Sequence, residues 1–573
     1  MPLDYFAPGV YVEEVDRGNR PIEGVNLSVP GFIGFTEDVR GDAETFKPML
    51  VTTWDQYLEY FGKPGSDGFT DFGAYLPFAV QGWFLNGGGR CWVTSLGSRL
   101  PGAEPPTAQE TATKLLTSSG VTSLLFNVKG GGAAAAGEEE APAALPAVTG
   151  QLTVLVESDT PIQPEDDDAE PPLDTGEYFK VTVNRGEETL ESFGNLTMKE
   201  DVAAEEGSYV VTALADSEYL DVQLAEGLPA VSALSKRPAN GVYQVSPPAE
   251  YINDVEKLPR ELQGNRSDRK GVQGIFEIDD VAIIACPDLM LLYQADLIDL
   301  DQLHGIMEMM LSMCENSAPS PPYRMAVIDP PPVKPGKNDN KAVPPEQQKP
   351  QDVATWLSMF NRRSMFGALY YPWIKVANPR NGGRPIFIPP CGHMMGVWCR
   401  TDENRGLFKA PANDTPRGVT GLAYETNFRE QELLNPLGIN CIRNFANFNR
   451  GIKIWGARTL VEPDNIQWRY IPVRRLMSYI EKSIEIGTQW VVFEPNDEAL
   501  WGRVTQTVSS FLEGLWREGA LVGANVGESF FVKCDGEINT PDTMMKGRLY
   551  VEVGVAPVRP AEFVIFRISQ WAP

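Results

Sequence analysis

The alternation of apolar and polar positions is clearest between Leu437 and Leu476. Residues 451–460 (GIKIWGARTL) alternate apolar with small or polar side chains and put Ile452, Ile454 and Ala457 on one side, the period of a half-buried strand. Pro463-Asp464-Asn465 supplies turn chemistry, and Trp468 to Ile471 restarts an extended run. Pro472 suits the first turn of a helix, where its missing N–H is not needed. Val473, Leu476, Met477, Ile480 and Ile484 then share one helical face. A second long helix is expected after the cap Asn496-Asp497-Glu498, with Leu500, Val504, Val508, Phe511, Leu512 and Leu515 as its apolar stripe and Gly519 and Gly523 ending it. Residues 530–534, 549–555 and 563–568 read as three closing strands, in which Val551, Val553 and Val555 alternate, as do Val564, Phe566 and Ile568. Three consecutive strands leave an open edge. Phe563-Val564-Ile565-Phe566 is apolar on both faces and asks for burial on both.

Upstream the pattern is α/β. Phe32-Ile33-Gly34-Phe35 opens the folded body. Thr53 caps a short helix that Gly62 stops, and residues 72–85 predict a second, strongly apolar helix. Asn86-Gly87-Gly88-Gly89-Arg90 has the glycine content of a phosphate loop, but such a loop needs a strand before it and a helix after. Here the order is reversed, so the run reads as a helix-to-strand turn into Cys91-Trp92-Val93-Thr94. From Gly271 a buried strand at 281–288, a helix at 295–314, a strand at 323–329, a helix at 353–360 and a strand at 368–371 predict a parallel or mixed sheet.

Between 101 and 270 the composition changes. A Gly/Ala/Glu linker (130–140) and the acidic run Glu165-Asp166-Asp167-Asp168 lie among short strands at 152–156, 178–183, 208–212 and 220–224, which suggests an inserted β domain. The acidic run lacks the alternating ligands and central glycine of a calcium loop and reads as a solvated loop. This segment holds 30 Asp and Glu against 12 Lys and Arg, so most of the net charge of −28 is confined to it. That balance disfavours nucleic acid and anionic membranes as partners. No apolar run approaches bilayer length and Met-Pro-Leu-Asp-Tyr-Phe is no signal peptide, so folding in a cytoplasm is expected. Seven scattered cysteines predict free, buried thiols rather than a disulfide framework.

Candidate chemistry is sparse. Asp288 and Asp329 fall at strand ends, where α/β enzymes place ligands, but no nucleophile or base accompanies them. Cys391, His393 and Cys399 hint at zinc, yet the Cys-x7-Cys spacing with one His is not a metal pattern. A glycine-containing turn between strands is expected there instead. The one other histidine is His304, which leaves little material for general-base work.

The run from Ile454 to Leu460 (IWGARTL) followed by Arg469 to Leu476 (RYIPVRRL) resembles the C-terminal signature of contractile tail sheath proteins. Pro8-Gly9-Val10-Tyr11-Val12-Glu13-Glu14 resembles that family's opening arm. Pro389-Pro390-Cys391-Gly392-His393, through Thr401-Asp402, to Lys409-Ala410-Pro411-Ala412-Asn413 resembles its central motif. The resemblance covers residues 1–100 and 271–573.

The resemblance implies a structural subunit, not an enzyme, with no cofactor and no metal. Its partners would be copies of itself in stacked hexameric rings, an inner tube protein, and baseplate and cap proteins at the ends, with no nucleic acid and no membrane insertion. The implied setting is assembly in the bacterial cytoplasm, as part of a phage tail or a phage-tail-like injection particle. The expected fold is multidomain α+β: an α/β core, a C-terminal α+β domain whose sheet is shared between subunits, and an inserted, mainly β outer domain. The expected divisions are an arm (1–30), core (31–100), insertion (101–270), core (271–435), C-terminal domain (436–560) and a linking strand (561–573). Val10, Tyr11, Val12, Glu13 and Val15 would form the N-terminal link, and Phe563, Val564, Ile565, Phe566 and Ile568 the C-terminal one. Phe531, Val532, Val551 and Val553 would receive a neighbour's strand, and Arg503, Glu513, Arg517 and Glu518 would face the inner tube. An enzyme using Asp288 and Asp329, or a static shell or adhesin, are the alternatives.

Overall fold

A computed structural model describes residues 21–103, 112–129, 152–161, 176–186, 188–203, 207–225, 228, 232–245, 252, 254–315, 323–336, 340–446 and 450–567. The body is built on an eight-stranded sheet. Its order runs Ile452–Ile454, Ile439–Asn444, Gly367–Tyr371, Met325–Ile328, Ile283–Ala285, Pro30–Gly34, Cys91–Ser95 and Pro48–Val51. The six inner strands are mutually parallel, and both edge strands pair antiparallel. The earliest of these strands in the chain, Pro30–Gly34, therefore sits inside the sheet, between strands some 60 and 250 residues away. Every residue of Pro30–Gly34, Ile283–Ala285, Met325–Ile328 and Gly367–Tyr371 is buried. Short, continuously apolar strands are what a parallel sheet covered on both faces requires.

Two helices that pack closely together cover part of this sheet, Leu76–Leu85 and Cys391–Arg405. Glycines set the approach. A Cβ at Gly392 would lie 2.3 Å from the Ala79 carbonyl oxygen, and one at Gly396 would lie 2.6 Å from the Asn86 Cβ. The expected turn at 391–399 is thus corrected to a buried helix. The glycines that suggested a turn serve helix–helix contact, a role that one chain's local pattern does not reveal. Other boundaries shift as well. The 72–85 helix begins at Leu76, because the backbone before it is tied to Asp288. The 295–314 helix begins only at Leu300 and runs to Glu315; a separate short helix, Leu289–Gln294, precedes it, and Asp296 takes a positive φ between them. Residues 468–470 form no strand and contribute an isolated Arg458–Tyr470 bridge before the Ile471–Gly487 helix.

Residues 113–245 hold two further sheets, one of three strands and one of five. They share a separate apolar core that includes Phe126, Val154, Phe179, Val181 and Leu214. The 208–212 strand is corrected: only Ser208–Tyr209 pairs, and Val210–Leu214 is a helix that buries Val210 and Leu214 in this core. Leu258 and Leu262 already belong to the core of the body.

The C-terminal part has its own core. Helices Ile471–Gly487 and Glu498–Arg517 bury Leu476, Ile480, Leu500, Val504, Val508, Leu512 and Leu515 together with Phe530. The Asp497 carboxylate caps the second helix by accepting the Leu500 N–H at 2.8 Å. Ile22 also enters this core, which brings the beginning of the described chain against its end. Two strands, Phe530–Lys533 and Glu552–Val555, form an antiparallel sheet. The third expected strand is corrected, since residues 561–567 form no strand pairing among the described residues and Ile568 lies outside them.

Candidate subunit-linking surfaces

The segment from Pro21 to Val29 crosses the Ile471–Gly487 helix before entering the body sheet. Its fit is tight: a Cβ at Gly24 would overlap the Tyr479 side chain, and one at Gly487 would meet Ile22 at 2.6 Å. The Val25 N–H donates to the Ser483 hydroxyl at 3.3 Å. At its far end, Arg475 of the same helix donates to the Leu27 carbonyl at 2.9 Å and grips Asp402 with both terminal nitrogens, at 2.9 and 2.6 Å. The Ser28 hydroxyl donates to the same carboxylate at 2.6 Å. The Arg475 guanidinium also stacks over Trp398, 5.1 Å from its ring centre. Arg475 is buried and Asp402 half-buried, so removing either would leave a largely desolvated charge without its partner.

A second pair sits at the other end of the chain. Arg458 donates to Glu562 from Nε at 2.8 Å and from Nη2 at 2.6 Å. Asn435 Nδ2 and the Tyr470 hydroxyl each donate to the same carboxylate at 2.8 Å. Burial pushes the Glu562 carboxyl upward, but the Arg458, Asn435 and Tyr470 hydrogen bonds together win, and it sits below its ordinary value. Immediately after this anchor come Phe563, Val564, Ile565 and Phe566, which are 70%, 67%, 79% and 82% exposed.

Of the expected receiving residues, Phe531 and Val532 lie on the first strand of the small sheet and Val553 on the second, while Val551 stands one residue before it. Phe531 is exposed and the three valines are half-buried. A two-stranded sheet leaves one edge of each strand unpaired and is marginal by itself. The charged candidates on Glu498–Arg517 are partly engaged within the chain. Arg503 pairs with Glu494 at 3.0 Å and lies over Trp490, and Arg517 pairs with Glu513 at 2.5 Å. Glu513 is half-buried rather than exposed; Arg503, Arg517 and Glu518 face outward. Val10, Tyr11, Val12, Glu13 and Val15 lie outside the described residues.

The competing chemistry has a structural use. Asp288 is fully buried, accepting the Tyr75 N–H at 2.5 Å and the Phe35 N–H at 2.6 Å, just ahead of the Leu76–Leu85 helix. Asp329 accepts the Cys391 N–H at 3.2 Å at the start of the Cys391–Arg405 helix. Burial pushes both carboxyls up to about 7. Each thus fastens a helix start to a strand end, an interaction that orphan N–H groups favour. Burial lowers the His393 imidazole to about 4 and raises the Cys399 thiol to about 12, and no group of three metal-ligating side chains occurs among the described residues.

Residues 323–460 match the model of the phage tail sheath protein central domain, and residues 464–570 match that of the phage tail sheath C-terminal domain. The two matched stretches together cover less than half of the chain. The two ion pairs join one matched stretch to the other: Asp402 and Arg458 lie within residues 323–460, Arg475 and Glu562 within 464–570. Among curated relatives, a prophage major tail sheath protein of Pseudomonas aeruginosa is 25% identical over 188 residues, 32% of this chain and 47% of that one. The tail sheath protein of Salmonella phage ViI is 27% identical over 210 residues, 36% of this chain and 32% of the other. The chain thus aligns with less than half the length of either relative. The fold extends further than the sequence likeness. A chain of the anti-feeding prophage baseplate superposes with a TM-score of 0.51 over 99% of both chains at 22% identity. A chain of an extracellular contractile injection system sheath in its contracted state gives 0.53 over 99% of this chain and 98% of that one, at 19% identity.

Arg458, Asp402 and Arg475 stand inside the stretches that carried the family resemblance in the sequence, but nothing in their spacing revealed their partners. Glu562 gave no signal at all. It is one acid next to an apolar run, and its significance depends on residues 92 to 127 positions away.

Proposed function

We propose that this chain is the structural subunit of a contractile sheath. It polymerises as stacked hexameric rings around an inner tube and contracts to drive that tube through a target envelope. The observation that carries the reading is the exposed apolar run 563–566, rooted beside a two-stranded sheet with open edges, in a chain that matches both sheath domain models. Burying each of these four side chains against a neighbour is worth about 1.5–3 kcal/mol, and a strand added to an open edge gains a ladder of backbone hydrogen bonds. Because donor and acceptor surfaces differ, the contact is head-to-tail and builds rings or helical stacks. The N-terminal arm, rooted at Ile22 on the C-terminal helices, supplies a second link. The insertion forms the outer layer, where its acidity aids solubility. Contraction is a switch between two subunit packings while the arms keep neighbours joined. Energy stored at assembly suffices, so no nucleotide, cofactor or metal takes part. Baseplate and cap proteins close the ends, and assembly takes place in the bacterial cytoplasm.

Negative-stain electron microscopy of the expressed chain, intact and lacking residues 1–20, tests this. Striated hollow tubes from the intact protein and none from the truncation are expected. Discrete particles from both, with the inner tube protein present, would refute it.

A further inference from the structure

The segment between the small sheet and the exposed run is held at three points. The Val522 N–H donates to the Ala556 carbonyl at 2.8 Å, the Val558 N–H donates to the Ala520 carbonyl at 3.0 Å, and Glu562 accepts its four hydrogen bonds. The partners of Glu562 are Asn435, Arg458 and Tyr470, none of which belongs to the sheet formed by residues 530–533 and 552–555. A carboxylate has room for about four donors, and here all four approaches are used. Two of the donors are a guanidinium fork, the strongest geometry available to it.

This arrangement answers a problem that the sequence itself creates. Residues 552–555 and 563–566 are both able to form strands, and seven residues separate them. A chain with that pattern is able to fold back as a hairpin, burying its own apolar run and capping its own open edge, since connections only slightly shorter are the common ones. Such a self-closed subunit would have nothing left to donate. The ties at Ala556, Val558 and Glu562 hold the would-be loop open and attach its end to the central domain.

We propose that Glu562, with Arg458, Asn435 and Tyr470, is a fixed root that directs the strand 563–566 to a second copy of this chain and prevents it from pairing with its own sheet. The proposal rests on the linking-strand reading above. Glu562 acts as a positioning residue: it makes no contact with the neighbour itself, but sets where the strand leaves the subunit.

The test compares the full chain with Glu562→Gln, Tyr470→Phe and a chain ending at Glu562. Tube yield is measured by sedimentation and microscopy, and amide exchange in dilute, unassembled protein. Gln keeps the shape of Glu but sets an NH2 against donors, so amide exchange across 556–562 is expected to rise about ten- to a hundred-fold. Tube yield should fall, and new protection should appear at 552–555 and 563–566 in the unassembled variant. Tyr470→Phe removes one donor without unpairing a charge and should move the same readouts in the same direction, more weakly. It keeps the test decisive if Glu562→Gln does not fold. Unchanged exchange across 556–562 in a folded Glu562→Gln variant, or in Tyr470→Phe where only that variant folds, overturns the proposal, whatever the tube yield. So does normal tube formation by Glu562→Gln. The chain ending at Glu562 retains the root and lacks the strand. It should form no tubes; if it assembles normally, the linking-strand reading itself fails, independently of the root.

Discussion

The eight-stranded sheet and the two-stranded sheet solve burial in opposite ways. The eight-stranded sheet is complete: its inner strands are parallel, buried on both faces, and covered by helices whose glycines bring backbones into contact. The two-stranded sheet has half-buried or exposed positions along most of its length and is followed by an apolar run left largely exposed. One region has met its requirements within the chain and the other has not. If residues 563–566 link subunits as proposed, changes in the first region should act on folding and changes in the second on assembly.

The largest effect is expected where the regions meet. Arg475→Ala leaves the half-buried Asp402 without its partner and should lower the stability of the unassembled chain by about 3 kcal/mol, the low end for a buried pair, read by denaturant unfolding. Next, Gly392→Ala forces a methyl group against the Ala79 carbonyl and should cost about 1–3 kcal/mol in the same assay. A smaller effect separates the regions by pH. Burial holds Asp329 at about 7, above its ordinary 3.8, so its stabilising share is full below 3.8 and lost as pH rises through 7. Glu562 is shifted down from 4.5, so its share is present above 4.5 and lost as pH falls through its lower folded value. Asp329→Asn should flatten the loss of stability between about pH 4 and 7, while the gap between the natural chain and Glu562→Gln should close only in acid. Thermal melting across pH checks both. Least of all, Phe566→Ser should change unfolding by no more than about 0.5 kcal/mol, since Phe566 is exposed, yet should abolish tubes. Equal losses of stability and assembly in that variant would erase the distinction between the two sheets.

The legible and illegible parts of this molecule divide along the same line. The parallel body could be read from runs such as Ile283-Ile284-Ala285 and from caps such as Thr53 and Asp497, because those signals are local. The Cys391–Arg405 helix was misread because Gly392 and Gly396 signal a turn locally and a close helix contact only in three dimensions. The strand expected at 563–568 does not form because a strand needs a partner, and residues 563–567 find none among the described residues. The ion pairs Arg475–Asp402 and Arg458–Glu562 were invisible because charge pairing across 73 and 104 residues leaves no periodic trace.

The most direct measurement is amide hydrogen exchange at residues 563–566, in dilute subunit and in assembled tubes. The account predicts exchange near the free rate in the subunit and protection by several orders of magnitude in the tubes, shared with residues 530–533 and 552–555. Tubes in which 563–566 exchange as fast as in the free subunit would contradict it.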